Sequence, residues 1–293
     1  MTDRIDEFES LFRSASKERF HYHPLSVRSV LVVTDLQAEP AGMFAADVRA
    51  FAKALDERGD VTWTTITGDR FTTPKDLLDL VEDQRPDLVV TYRCLHSAAW
   101  QWVFTLGAHL DVLTQATTTP VLVLPHPEQG GAEAAALGGG AAPGQTDRVM
   151  AVTDHLAGDE RLVNAALAFA EPGGTLYLSH VEDDSVFERY IDAIGKIPDL
   201  DTTTARELLQ AQLLKEPHDY VGSCREALEA AQVGVVVQEI VTMGHRVKQY
   251  IALVEQHEID LLVLNTKDEG HSAMHGLAYA LAVELRQTPL LML

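Results

Sequence analysis

Two stretches of this chain share one plan, and that plan restricts the fold more than any other feature. From Asp260 the sequence reads "LLVL", a polar loop (Asn265 to Ser272), a helical pattern (His275 to Arg286) and a closing apolar run "PLLML". Earlier, Asp87 heads "LVVT", a loop and a helix follow, and Pro120 opens "VLVLP". Gly107 lies thirteen residues before Pro120, and Gly276 thirteen before Pro289. Short apolar runs bounded by polar residues suit parallel strands covered on both faces. Two copies of one α/β unit are the first expectation.

The rest of the chain extends that plan in both directions. In the first half, "SVLVVTD" (Ser29 to Asp35) reads as a strand, and Phe44, Val48, Phe51 and Leu55 stripe a helix over Met43 to Glu57. A strand from Val61 to Thr67 is closed by Gly68, and Pro74 opens a helix to Asp83 in the position that suits a first turn. In the second half "RVMAVTD" repeats the first strand, Val152-Thr153-Asp154 matching Val33-Thr34-Asp35. A helix (Glu160 to Ala170), the strand "TLYLSHV", a mostly helical region from Asp183 to Gln232 interrupted around Pro198 to Thr203, and a strand from Val233 to Met243 closed by Gly244 follow. The helix His245 to Gln256 leads back to Asp260. Alternating strands and helices predict right-handed crossovers and two tandem open parallel-sheet α/β domains, the first short of one strand-helix unit.

Boundaries follow from composition shifts. Residues 1–26 carry an amphipathic helix, with Ile5, Phe8, Leu11 and Phe12 at helical spacing, and a connector through "HYHP". Residues 27–127 form the first domain, 128–146 a Gly/Ala/Pro-rich linker, and 147–293 the second domain. The net charge of -21 argues against a surface that neutralises phosphate backbones, so nucleic acid is not an expected partner. No apolar run is long enough for a membrane span, and the acidic "MTDRIDEFESLF" lacks a signal-peptide plan, so a cytoplasmic protein is expected. Cys94 and Cys224 are too few for a disulfide framework or a thiolate metal cage.

The "VTD" ending of each first strand, "LYLSHV", the glycine closing the next strand, and the helices running into "TPVLVL" and "TPLLML" together resemble the universal stress protein family in a tandem, two-domain form. The resemblance covers about Val27 to Pro127 and Arg148 to Leu293. It implies five-stranded Rossmann-like domains of the adenine nucleotide alpha hydrolase type, two copies pairing as a pseudo-dimer. It also implies ATP or another adenine nucleotide as ligand in members that keep a glycine-rich loop. In those members a glycine, two residues, a second glycine, nine residues, then glycine and a hydroxyl residue let backbone approach phosphate oxygens.

Both halves depart from that loop. After Thr91 comes "YRCLHSAAWQWVFTLGAH", where Trp100 and Trp102 stand in place of small residues and Ala108 in place of a hydroxyl. After Leu264 comes "NTKDEGHSAMHGLAY", in which Gly270 and Gly276 lack the spacing, Leu277 replaces the hydroxyl, and Asp268 and Glu269 would repel phosphate. The second loop is shorter than the first by about four residues.

The remaining candidates sit where strand ends meet loops, the edge at which open parallel sheets bind ligands. Asp35 and Asp154 match the family's aspartate near the nucleotide; each could instead cap the following helix or turn. With Asp154, residues Thr153, Gly244, Asn265, Gly270 and Gly276 outline a small-molecule pocket in the second domain, and Asp35 marks a lesser one in the first. His271 and His275, four apart beside Asp268 and Glu269, allow a divalent metal, although a solvated helix start explains them as well. His21 and His23 read as linker residues and His180 as a polar group at a strand end. Ser97, Ser179 and Ser223 lack a nucleophile-elbow pattern, and no residue set has an acid-base role. The expectation is a binding or regulatory stress protein without strong catalysis. Weak ATPase activity through the second domain, or a metal-dependent enzyme using His271 and His275, are the alternatives. The exposed apolar "PLLML" must be paired, either with "VLVL" of the first half or with a second chain in a homodimer.

Overall fold

The computed structural model describes residues 18–101, 105–127, 146–152, 156–197, 201–266 and 276–293. The N-terminal amphipathic pattern before residue 18, nearly all of the 128–146 linker, and Thr153, Asp154, Gly270, His271 and His275 fall outside them.

Among the described residues nine strands form one sheet: β1 Ser29–Val33, β2 Thr62–Ile66, β3 Leu88–Tyr92, β4 Val121–Leu124, β5 Arg148–Val152, β6 Thr175–Asp183, β7 Val236–Gly244, β8 Leu261–Leu264 and β9 Leu290–Met292. Their order is β2-β1-β3-β4-β9-β8-β5-β6-β7. Four strands come from the first half and five from the second, as a missing strand-helix unit requires. Every neighbouring pair is parallel except β4 and β9, which meet antiparallel at the junction. There Val121 faces Met292, Leu122 faces Leu291 and Val123 faces Leu290. Because Val121 and Leu290 each follow a proline, this register places a pseudo-twofold axis at Leu122 and Leu291. The closing run thus pairs with "VLVL" of the same chain.

The central strands are buried apart from Ser29 and Arg148 at their starts, as their apolar runs demand, whereas the edge strand β2 (TWTTI) leaves Thr62, Thr64 and Thr65 exposed. Helices cover the sheet: α1 Ala38–Phe51, α2 Lys53–Arg58, α3 Pro74–Gln84, α4 Ala108–Ala116, α5 Glu160–Phe169, α6 Asp184–Ile194, α7 Thr202–Ala230, α8 Arg246–Gln256 and α9 Gly276–Glu284. The single helix expected over Met43 to Glu57 is two. It starts earlier because Pro40 is tolerated in a first turn, and it breaks at Ala52, whose φ/ψ of -95° and 25° leave the helical region. Thr73 and Asp76 form a capping box before Pro74. The interruption expected near Pro198 precedes α7, which runs on through Pro217. Among the described residues no helix is long and apolar enough to cross a membrane.

The strap from Phe20 to His23 is anchored to the second half by its hydrogen bonds. The Phe20 ring meets Tyr220 edge-on, and its N–H donates to Ser223 Oγ at 3.0 Å. His21 pairs with Glu160 at 2.6 Å, and the His23 N–H donates to Asn164 Oδ1 at 2.9 Å. His21 and His23 are therefore anchoring residues of the strap.

Candidate functional site

The C-terminal edge of the first half is shaped by where β1 stops. Strand pairing ends at Val33, and Thr34 and Asp35 turn away over the end of β3. The hydroxyl of Tyr92, the last residue of β3, donates to Asp35 Oδ1, lies 2.8 Å from Thr34 Oγ1, and accepts the Asp35 N–H at 3.2 Å. Asp35 Oδ2 accepts the backbone N–H of His96 at 2.6 Å. Burial, followed by the bond to Asp35, raises the Tyr92 phenol well above its ordinary range, so it stays a neutral donor. The capping expectation for Asp35 is thereby corrected. Its carboxylate holds the turn after β3, and Gln37, the residue before α1, supplies no side-chain cap.

That turn is tight. Cys94 and His96 both adopt left-handed φ values, 60° and 55°, and Cys94 N–H bonds to Leu106 O at 2.8 Å, closing the loop at its base. The His96 ring packs 4.8 Å from Phe71 and 5.5 Å from His109, and Phe71 lies 5.6 Å from His109. A Cβ on Gly68 would sit 2.7 Å from Asp35 O and 2.9 Å from His96 Cε1. Asp35, Tyr92, His96, Phe71 and His109 therefore fill the edge at which an open parallel sheet takes its ligand. Burial, together with the neighbouring His96, lowers the His109 pKa, so the His109 imidazole favours its neutral form.

Arg93 follows Tyr92 and faces the other way. It is 3% exposed, and its guanidinium donates to Ala282 O and, at 2.7 Å, to Leu285 O, the carbonyls at the C-terminal end of α9. A cation there satisfies orphan carbonyls and opposes the negative end of the helix dipole. Burial lowers its pKa to about 10, which leaves it charged at neutral pH. The first half thus braces the helix that opens at Gly276 in the second.

In the second half, Asn265 Nδ2 donates to Asp159 Oδ2 at 2.5 Å, and Asp159 also caps α5 through the Leu162 N–H. Thr266 ties its N–H and hydroxyl to Leu293 O at 3.0 and 2.7 Å. Gly276 opens α9. Gly244 does not join them. It ends β7, and β5 and β6 stand between that strand and β8, a span of about 14 Å at normal strand spacing. His180 lies inside β6, not at its end, because the strand runs to Asp183; its Nε2 is 3.2 Å from Glu182. Among the described residues no group of three or more His, Cys, Asp or Glu could hold a metal ion. Sequence reasoning missed Tyr92, Arg93, His96 and Asp159, since each works through a partner more than fifty residues away or through a cap with no motif of its own.

In open, mostly parallel α/β sheets the C-terminal edge of the strands is where ligands meet the fold. Residues 145–278 match the model of the universal stress protein family. Two solved structures are similar over nearly the whole length. One is described as a universal stress protein from Pseudomonas aeruginosa UCBPP-PA14, with 12% identity, 92% of this chain and 93% of that chain covered and a TM-score of 0.49. The other is a universal stress protein from Archaeoglobus fulgidus DSM 4304, with 12% identity, 90% and 95% coverage and a TM-score of 0.48. No curated protein matches the chain.

Proposed function

We propose that this chain is a tandem universal stress protein that acts by binding and regulation without strong catalysis, with ligand binding left to its second half. The observation that carries this reading is the edge of the first half, where the Asp35 carboxylate is taken up by the Tyr92 hydroxyl and the His96 backbone N–H. The brace from Arg93 to α9 gives the first half a use that needs no ligand of its own. The usual phosphate loop is degenerate in both halves, which disfavours ATP turnover. Mass spectrometry of small molecules released from the denatured protein, with thermal melts in ATP, tests the reading. The expected outcome is no stoichiometric adenine nucleotide and an unchanged melting temperature. Retained ATP or ADP together with phosphate release would replace it with a weak ATPase.

A further inference from the structure

A cavity of about 310 Å3 opens at the edge of the sheet opposite the strand ends just described. Its walls are the segment Leu25–Arg28, which enters β1, and the end of α2 with its turn into β2 (Leu55, Arg58, Gly59 and Asp60). Two guanidinium residues and one carboxylate therefore line it, beside the apolar side chains Leu25, Val27 and Leu55. Among the described residues neither Arg28 nor Arg58 has a carboxylate within ion-pair distance, although the Asp87 and Glu57 carboxylates lie near enough to act on them from outside the cavity lining. Arg58 spends one N–H on Ala170 O of the second half at 2.9 Å, which leaves most of its five donors for another acceptor. Partial burial lowers its pKa, so the charge there lacks some of its water. Gly59 has an extended backbone, and a Cβ built on it meets nothing within 4 Å.

We infer that this cleft binds a small organic monocarboxylate. The carboxylate would engage the arginines, whose planar forks suit it, and a short apolar stem would lie against Leu25, Val27 and Leu55. Asp60 sets the charge limit, since a second negative group on the ligand would meet it unfavourably. The volume falls at the small end of ligand pockets and leaves room for a few carbons. Because the cleft is lined by the segment entering β1 and by Arg58, which reaches Ala170 of the second half, occupancy would tie the two halves together.

Amide NMR titrations of the full chain with butyrate, butylammonium and inorganic phosphate test this. Butyrate should shift the amides of Arg28 and Gly59 along a saturating curve, with a dissociation constant on the order of millimolar. Butylammonium should leave them still, and phosphate should bind more weakly. Arg28→Gln should weaken butyrate by about tenfold. Gly59→Leu keeps every charge and fills the space, so it should abolish binding while the melting temperature holds. Asp60→Asn should tighten binding by about threefold. Non-saturating shifts, an equal response to butylammonium, or a Gly59→Leu protein that melts normally and still binds would each overturn the assignment.

Discussion

The two halves agree at one edge of the sheet and part at the other. At the N-terminal edge the same bonds recur. Asp87 N–H reaches Ser29 O at 3.0 Å and Asp260 N–H reaches Arg148 O at 2.9 Å, while Val89 and Leu262 both donate to a proline carbonyl, Pro120 O and Pro289 O, at 3.0 Å. Each aspartate then accepts from the backbone that starts the neighbouring strand, Asp87 from Arg28 and Ser29 and Asp260 from Arg148. At the C-terminal edge the first half is packed with its own tyrosine and histidines, whereas the second places Asn265 against Asp159 and Thr266 against Leu293. Backbone pairing fixes the repeat, and side chains at the strand ends decide what each copy does.

The largest test of that comparison is Arg93→Met, which strips the shared helix α9 of its cap. Two buried carbonyls would lose a charged donor, a cost of about 3 kcal/mol. Urea denaturation should show it, and hydrogen exchange should quicken in α9; unchanged exchange there would mean the halves stand independently. Next come two glycines at strand ends, Gly68 after β2 and Gly244 closing β7, the strand with no first-half counterpart, since the sheet order pairs β2 with β6 across the seam. Gly68→Ala drives a Cβ to 2.7 Å from backbone and should cost about 2 kcal/mol. Gly244→Ala meets only Gln249 at 3.5 Å and should fall within about 0.5 kcal/mol of the parent. Equal losses would erase the distinction between a filled edge and an open one.

A smaller effect separates Asp87 from Asp260 by pH. Burial pushes the Asp87 pKa up, but the Arg28 and Ser29 bonds outweigh it and hold the folded value below the ordinary one. Its stability is present above the ordinary carboxylate range and is lost as pH falls. Burial dominates at Asp260 and raises its pKa in spite of Arg148, so its contribution runs the other way and declines as pH rises through the folded value. The stability gap between parent and Asp87→Asn should widen with rising pH, and the gap for Asp260→Asn should narrow, both read from melts across the acid range. The smallest effect is at His109. Its lowered folded pKa gives stability that is present above an unfolded value of about 6.5 and fades as pH falls. His109→Gln should flatten that decline in melting temperature.

How much of this was legible in the sequence depends on the kind of interaction. Strand runs such as Leu261 to Leu264, the thirteen-residue spacing and the missing first-half unit were readable, because burial on both faces leaves an unbroken apolar signature. The pairing of "PLLML" with "VLVL" was one of two readings, and only the register at Leu122 and Leu291 selects it. The site was less readable. Asp35 stood out by its match to Asp154, yet its partners Tyr92 and His96 lie across strands with no spacing rule. The break at Ala52 follows from local dihedrals that an alanine does not advertise. Gly244 looked like a member of the second-half pocket because strand order cannot be read from a single chain.

The seam between β4 and β9 also bears on how the chain reaches this state. Synthesis runs from the N-terminus, and β9 comes last of the nine strands while lying in the middle of the sheet. Until residues 290–292 have emerged, β4 has an unfilled hydrogen-bonding side, and β8 has one too. Through the making of the entire second half, the apolar edge Val121–Leu124 stands as a vacant template, the period of greatest exposure to mispairing with another nascent copy.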